Sequence, residues 1–287
     1  MRLAVAELLG MRKRLATYVV LIVLLVMMGL IYLAAGFGAS AAPDVAGTLF
    51  DFPGAYSTIG QFVFGLGSLV AVAYAAAVAG GDWTWGVPRL LLARGESRTG
   101  YVVAKALALA GVLAIGVLVA FAAGILFNYV AAAIARTDPG NPITGDGLAE
   151  LGRSLLLGYP VVLERALIGF AVAIVLRSQL AGVVVGILLY IGEGILVTIM
   201  VTISVISRGL GGVFGAEPFG PEWFQYLPFT IGDSVLAADQ GASIGGGLED
   251  LLLRNVPLEQ ALVGVFIYGL LAVAGAALFV ERAEITA

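Results

Sequence analysis

Long uninterrupted apolar runs dominate the pattern of hydrophobic and polar positions along the chain. Each run reaches the roughly 20 residues that a helix needs to cross a hydrocarbon core about 30 Å thick. The runs predict six transmembrane helices at about residues 17–39, 59–80, 104–135, 156–176, 180–206 and 261–280. The first run is longer than the apolar region of a signal peptide, so we expect a retained anchor. Gly182 and Gly186 form a small-xxx-small pattern, which predicts close packing inside the bundle or a subunit interface.

The stretches between the runs predict the rest of the organisation. Residues 1–14 mix apolar and basic positions, which is typical of a short interfacial helix or of an ordinary basic flank. Residues 81–103, here called the basic loop, separate the second and third runs. Residues 207–258 are rich in Gly, Pro, acids and aromatics, and they predict amphipathic or re-entrant helices at the interface. The predicted fold is therefore one all-α integral membrane domain over residues 1–287.

Composition supports a membrane protein and excludes several chemistries. Hydrophobic residues make up 61% of the chain and charged residues 12%, whereas a soluble domain carries about 25% charged residues. The chain has no Cys and no His, which excludes thiolate chemistry and removes the commonest metal ligand and general base. Asp233, Glu249 and Asp250 are predicted to be solvated loop acids. We expect no catalytic group, metal site, bound cofactor or nucleic-acid partner.

The distribution of Lys and Arg predicts the orientation. Six spans place both termini on one side, together with the basic loop. That side carries ten basic residues: Arg2, Arg12, Lys13, Arg14, Arg89, Arg94, Arg98, Lys105, Arg177 and Arg282. The other side carries four: Arg136, Arg153, Arg208 and Arg254. Because cytoplasmic loops are enriched in Lys and Arg, the termini and the basic loop are predicted to be cytoplasmic and residues 207–258 extracellular.

The basic loop contains signals for a short helix followed by a turn. Asp82 or Thr84 can cap a helix that has Pro88 in its first turn. Gly95 can end that helix, and Ser97 can cap the next one, which continues into the third span. Such an element can transmit a push to the membrane helices. The alternative is a topogenic loop that only satisfies the positive-inside rule, and the pattern leaves both open.

The order of residues in the basic loop carries a resemblance to a known family. The residues concerned are Asp82, Gly86, Arg89, Leu91, Leu92, Arg94, Ser97, Arg98, Ala104 and Lys105. At this spacing the stretch resembles the cytoplasmic loop between the second and third spans of ABC type-two permeases, the membrane subunits of bacterial ABC exporters. It departs from the family's usual sequence at Val87-Pro88, where Thr-Leu is common, and at Asp82, where Glu is commoner. Residues 176–181 resemble the family's tight turn between spans four and five, and residues 7–14 resemble its surface helix.

The resemblance implies a function and partners. The short coupling helix would dock on a separate ATPase subunit, and two permease subunits, identical or closely paralogous, would work with two ATPases in a bacterial or archaeal plasma membrane. ATP and Mg would be bound by the partner, with Asp82, Gly86, Arg89, Leu91, Arg94, Ser97, Arg98 and Lys105 as the ATPase-coupling residues. The chain itself contains no G-x-x-x-x-G-K-[ST] motif, so we expect no ATP hydrolysis by the chain alone.

Three charged residues fall inside predicted spans: Glu164, Arg165 and Glu193. Arg165 and Glu193 both lie roughly 18–21 Å from the turn that joins spans four and five, at about 1.5 Å per residue. They are therefore predicted to pair. Alternatively, the three residues line a path for substrate or ions, or Glu164 and Arg165 lie near the outer surface in solvent. A path would support a different function, that of a gradient-driven secondary transporter or channel.

Overall fold

Helices make up nearly all of the chain that the structure describes. The computed structural model describes residues 2–40, 49–87, 97–208, 222–240 and 256–282, and no strand occurs among them. A 3₁₀ turn covers Glu222–Tyr226. The helices are α1 (Arg2–Lys13), α2 (Leu15–Ser40), α3 (Ala55–Thr84), α4 (Arg98–Ala135), α5 (Gly145–Leu176), α6 (Gln179–Arg208), α7 (Pro228–Gln240) and α8 (Leu258–Arg282).

Six helices of the described residues are long and apolar enough to cross a membrane, namely α2 to α6 and α8. The prediction of a six-span helical membrane protein is confirmed at this level. Several helices continue past their apolar runs. The helix α5, for example, begins at Gly145, where the Thr144 hydroxyl accepts a hydrogen bond from Gly147 N at 3.0 Å. The run-based prediction placed this start near residue 156, because it counted apolar residues and ignored the polar but helix-forming first turns.

The centre of the bundle is formed by α3 and α5, which are the most buried of the six long helices. Small residues allow close approach there. A Cβ on Gly182 of α6 would lie 2.4 Å from Ala173 Cβ of α5. One on Gly186 would lie 3.2 Å from a methyl carbon of Val72 on α3. The small-xxx-small pattern therefore packs inside the bundle, which is one of the two arrangements that the sequence predicted.

One end of the bundle collects the basic segments, and we call it the basic end. Arg98 at the start of α4 donates to the carbonyl oxygens of Val280 and Glu281 at the end of α8, at 3.2 and 3.0 Å. Arg177, in the turn between α5 and α6, lies over the rings of Trp83 and Phe279, at 5.5 and 5.2 Å from their centroids. The ends of α3, α5 and α8 and the start of α4 thus meet in one place.

The capping prediction for the basic loop is confirmed at one side and wrong at the other. Ser97 caps α4, since its hydroxyl accepts from Gly100 N at 3.1 Å. Asp82 and Thr84 begin no helix, because α3 continues through both of them. The Thr84 hydroxyl bonds back to Gly80 O at 3.1 Å. The reason is that Asp82 has stronger partners in neighbouring helices than the backbone of a following turn. Residues 88–96 lie outside the described residues, so the coupling helix stays a prediction.

Candidate functional site

A cluster of buried charges lies at the basic end, directly beside the basic loop. Asp82, in the last turn of α3, is only 2% exposed. Its carboxylate accepts hydrogen bonds from Lys105 Nζ, from Tyr101 Oη at 2.7 Å and from Arg14 Nη2 at 2.8 Å. Lys105 also pairs with Glu7 at 3.4 Å. We call these five residues, Glu7, Arg14, Asp82, Tyr101 and Lys105, the basic-end cluster.

The cluster balances its charges. Two carboxylates meet two cations, and Lys105 is fully buried. Burying ions is costly unless each is paired and hydrogen-bonded, and this arrangement meets that condition. Burial lowers the pKa of Arg14, but the hydrogen bond and the charge of Asp82 outweigh it and raise the pKa above its usual value. Arg14 therefore stays a cation in the cluster.

The basic-end cluster fixes both stems of the basic loop. Asp82 lies at the start of the loop and Lys105 lies just after its end, and their ion pair joins α3 to α4. Glu7 adds α1, and Arg14 adds the start of α2. On the other side of the same loop, Thr99 donates to the Glu281 carboxylate at the end of α8. A displacement of the loop would thus reach α1, α2, α3, α4 and α8 through short, charge-assisted contacts.

The structure divides the predicted ATPase-coupling residues into two groups. Asp82 and Lys105 are buried and mutually paired, so they position the loop and do not face another protein. Gly86 has a φ of +68°, which suits the end of a helix, and Ser97 is a helix cap. The sequence did not reveal Glu7, Arg14 and Tyr101 as members of the cluster. A basic residue directly before the first span was the available signal for Arg14.

The remaining predicted coupling residues differ in what is described of them. Arg98 donates to α8, as given above. Arg89, Leu91 and Arg94 lie outside the described residues. Their assignment as contact residues therefore rests on the sequence alone.

A second polar site surrounds Arg165, which is fully buried in α5. We call it the central arginine site. Its guanidinium donates to Phe64 O of α3 at 3.2 Å, to Ser68 Oγ at 3.2 Å and to Phe229 O of α7 at 3.1 Å. It also forms an ion pair with Asp233 of α7. One side chain thus joins three helices.

A local distortion of α3 supplies acceptors to this site. Residues Gln61–Leu66 form a π-helical segment, and such segments shift backbone carbonyls away from their usual helical partners. Phe64 O accepts from Arg165, and Gly65 O accepts from Tyr190 Oη of α6 at 3.3 Å. The Arg165 guanidinium also lies 5.4 Å from the centroid of the Tyr190 ring. The distortion therefore places two backbone acceptors where α5 and α6 bring donors.

The predicted pair between Arg165 and Glu193 is wrong. Glu193 instead accepts three hydrogen bonds at the start of α7, from Phe229 N at 2.9 Å, Thr230 N at 2.7 Å and Thr230 Oγ1 at 2.9 Å. The physical reason is that α7 enters beside the two residues. Its first backbone N–H groups have no partner within the helix and attract a carboxylate, while Asp233, about one turn later, takes Arg165.

Two further expectations about these acids need correction. Asp233 was predicted to be a solvated loop acid, but it lies in α7 and pairs with Arg165, although its side chain is 66% exposed. Glu164 was allowed a solvated position, but it is 2% exposed. Neither of its carboxylate oxygens has a hydrogen-bond partner in the described part of the chain. Glu164 is thus buried next to a cation that is engaged elsewhere.

Replacing Glu193 by Ala should loosen the start of α7. Loss of a helix cap costs about 0.5–2 kcal/mol, which corresponds to a factor of about 2–30 in a local opening equilibrium, because 1.4 kcal/mol is tenfold. We expect amide hydrogen exchange at Phe229 and Thr230 to become faster by about that factor. Glu193→Gln should have a smaller effect, because its carbonyl oxygen still accepts. Glu259→Ala, at an exposed acid in the first turn of α8, is the control; equal exchange rates in all three variants would contradict the capping role.

The described residues contain no group of three or more Asp and Glu side chains that could hold a metal ion. Six helices that are long and apolar enough to cross a membrane indicate a multi-pass α-helical membrane protein. The two polar sites lie inside this bundle. The protein family described as a protein of unknown function, DUF2705, matches residues 16–243, and the chain belongs to this family. The match includes both stems of the basic loop and the central arginine site. No curated protein matches the chain.

Proposed function

We propose that the chain is the membrane-spanning permease subunit of an ATP-driven ABC transporter, working as a dimer with two separate ATPase subunits. The observation that carries the proposal is the buried pair between Asp82 and Lys105, which clamps the two stems of the basic loop to each other. A loop that only satisfied the positive-inside rule would not require buried, paired charges at both of its ends. The resemblance of the loop to the ABC type-two permeases supports the same assignment.

The proposed mechanism uses the basic-end cluster as a mechanical joint. In this mechanism the termini and the basic loop face the cytoplasm, as the distribution of Lys and Arg predicts, and α1 lies in the membrane interface. Closure of the ATPases on ATP would push the loop. Because Asp82 and Lys105 bind each other and also bind Arg14 and Glu7, the push would move α3 and α4 together with the start of α2. Alternating access would then follow at the interface of two permease subunits, with export as the proposed direction.

In this mechanism the movement of α3 also displaces the central arginine site. Asp82 and Phe64 lie eighteen residues apart on the same helix, which is about 27 Å at 1.5 Å per residue. A shift of α3 at the basic end therefore changes the position of a carbonyl that binds Arg165. Through Arg165 the same shift reaches α7 at the opposite end of the bundle.

Reversal of the loop's charge tests the proposal. The proposal predicts that an ABC ATPase is encoded beside the gene of this chain. When the chain is co-expressed with that ATPase, Arg94→Glu is expected to lower the affinity between the two by about tenfold or more. The reason is that loss of a charged interface contact costs about 2 kcal/mol or more, where 1.4 kcal/mol is tenfold. Arg136→Glu, at the far end of α4, is the matched control. Because the chain has no Cys, a single Cys at position 94 can also report the contact by cross-linking. Unchanged affinity in the Arg94 variant, with no cross-link, would remove the proposal.

One observation favours a second candidate, a transporter driven by an ion gradient. Glu164 is buried, and its carboxylate oxygens have no partner among the described residues. A proton or a cation bound there would remove an unpaired buried charge, and buried acids in membranes often belong to ion paths. The chain reconstituted without any ATPase distinguishes the two candidates. Transport driven by a proton gradient and lost in Glu164→Gln would support the second, and transport that needs ATP and its ATPase would support the first.

A further inference from the structure

An apolar groove with a volume of about 450 Å³ lies between α1, α2, α3 and α4 at the basic end. Its polar lining side chains gather around the junction of α1 and α2: Arg12, Thr17, Tyr18 and Tyr74. Thr17 Oγ1 donates to Met11 O at 2.8 Å and lies 2.9 Å from Tyr74 Oη. From this polar end the groove continues along α2 to Leu24 and along α3 to Val63.

We propose that this groove binds one acyl chain of an anionic phospholipid from the membrane leaflet at the basic end. The proposal goes beyond the permease function, because it holds whether or not an ATPase binds. The distribution of polarity carries it. Tyr74 and Val63 lie eleven residues apart on α3, which places the apolar end about 16 Å deeper in the bundle. A phospholipid has the same arrangement, with its charged headgroup at the surface and its chain pointing toward the middle of the bilayer.

The groove is open to the bilayer and closed toward the core. The lining residues Tyr18 and Ile115 are exposed on the outer sides of the spanning helices α2 and α4, and Leu9 is exposed on α1. The inner wall is formed by α3, where Val63 is 2% and Ala71 4% exposed. An acyl chain can therefore enter sideways from the membrane. Once inside, it contacts a surface that the general lipid belt does not reach.

The charge at the polar end selects the headgroup. Arg12 and Lys13 occupy the last turn of α1 and are exposed. Within the described ranges, neither forms an ion pair with a carboxylate, and the nearby acid Glu7 is engaged with Lys105. Each basic residue close to a membrane surface adds about 1 kcal/mol of attraction to anionic lipids. The two residues therefore favour a phosphate-bearing anionic headgroup over a zwitterionic one.

Photo-crosslinking in vesicles tests this binding site. The full chain is reconstituted in zwitterionic phospholipid that contains a small fraction of either an anionic or a zwitterionic phospholipid with the same mid-chain diazirine. Labelled peptides are then identified by mass spectrometry. We expect the anionic probe to label residues 63–71 of α3, the shielded inner wall. We expect the zwitterionic probe to label that segment less, by about fivefold for each of the two charges that it fails to attract.

Two pairs of variants assign the label to the groove and to its charges. Gly116 lines the groove, and a Cβ there would meet no atom within 4 Å, so Gly116→Leu fills the groove without a clash at its Cβ. It should reduce labelling of residues 63–71 severalfold, whereas Gly192→Leu, at an equally unobstructed glycine of α6 outside the groove, should not. Arg12→Gln should remove about fivefold of the preference for the anionic probe. Arg136→Gln, at the far end of α4, should remove none.

The proposal is overturned by any of three results. The first is absence of label in residues 63–71 of the unchanged chain. The second is equal labelling by both probes, which would make the groove an unselective part of the lipid belt. The third is a cross-link between two copies of the chain through the groove, which would mean that a helix of a second copy occupies it. Because Arg12 is exposed, the Arg12→Gln variant is expected to fold. The comparison of Arg12→Gln with Arg136→Gln therefore tests the proposal even if Gly116→Leu does not fold.

Discussion

Replacement of Lys105 by Met is expected to destabilise the protein by about 3–5 kcal/mol, the cost of removing one partner of a buried ion pair. Lys105 is fully buried and contacts two carboxylates, Asp82 and Glu7. Without its ammonium group, the two acids and the single cation Arg14 leave the basic-end cluster with an uncompensated negative charge. Met has a similar length, so packing is nearly kept and the loss reports the charge. This loss is measured by unfolding the protein in detergent. The measured quantity is the fraction of protein that stays monodisperse after heating or during titration with a denaturing detergent.

A double variant separates the ion pair from general packing. Asp82→Asn combined with Lys105→Met removes both charges of the pair, and replacing both partners of a buried pair costs far less than removing one. We expect the double variant to be more stable than Lys105→Met alone. Lys13→Met, at an exposed lysine of the same end, should change stability by no more than about 0.5 kcal/mol. If Lys105→Met lowered the stability as little as Lys13→Met does, the basic-end cluster would not stabilise the fold.

The same variants bear on the proposed function. The double variant is expected to fold but to lack the charge-assisted link between the two stems of the basic loop. Under the permease proposal, it should still bind the ATPase, because the buried pair makes no contact with a partner. ATP hydrolysis should then be less tightly coupled to transport. Binding of the ATPase and coupling to it are thus separable in this chain.

The features that could be predicted from the sequence depend on local properties. Six apolar runs of sufficient length predicted six spanning helices. Ser97 was predicted as a cap because its effect involves a backbone N–H only three residues away. The tight turn at Arg177 followed from two apolar runs separated by three polar residues. Each of these inferences needs only a short stretch of chain.

The partners of the charged residues could not be predicted in the same way. Asp82 was identified as important, but its partners Arg14 and Lys105 are 68 and 23 residues away. Arg165 and Glu193 lie at equal depth on neighbouring helices, which suggested that they pair. Depth on two helices does not reveal that a third helix lies beside both residues. That helix, α7, lies in a segment whose apolar pieces are too short to span. Its unpaired N–H groups and its Asp233 decide both partnerships.

Arg165 offers the second large effect, since Arg165→Met removes a fully buried cation that three helices share. The variant removes the hydrogen bonds that the guanidinium donates to Phe64 O, Phe229 O and Ser68 Oγ, and each hydrogen bond to a charged group contributes about 1.5–3 kcal/mol. We expect a loss of about 3–5 kcal/mol in the free energy of unfolding. The same detergent unfolding assay measures it. Arg165→Lys should recover only part of this loss, because an ammonium group lacks the planar fork that reaches acceptors on opposite sides.

The effects at the two ends of the ion pair should be unequal. Asp233 is 66% exposed, so solvent screens its charge and Asp233→Asn should cost about 1 kcal/mol or less. Exchange of charges in Arg165→Glu with Glu193→Arg should not restore stability, because Glu193 binds backbone N–H groups that an arginine cannot satisfy. Restoration by that exchange would mean that Arg165 and Glu193 pair directly and that α7 does not separate them. A loss in Asp233→Asn as large as that in Arg165→Met would mean that the ion pair, and not the backbone carbonyls of α3 and α7, holds Arg165. The expected inequality therefore tests whether the backbone carbonyls of α7 and of the π-helical segment of α3 fix the arginine more strongly than the ion pair does.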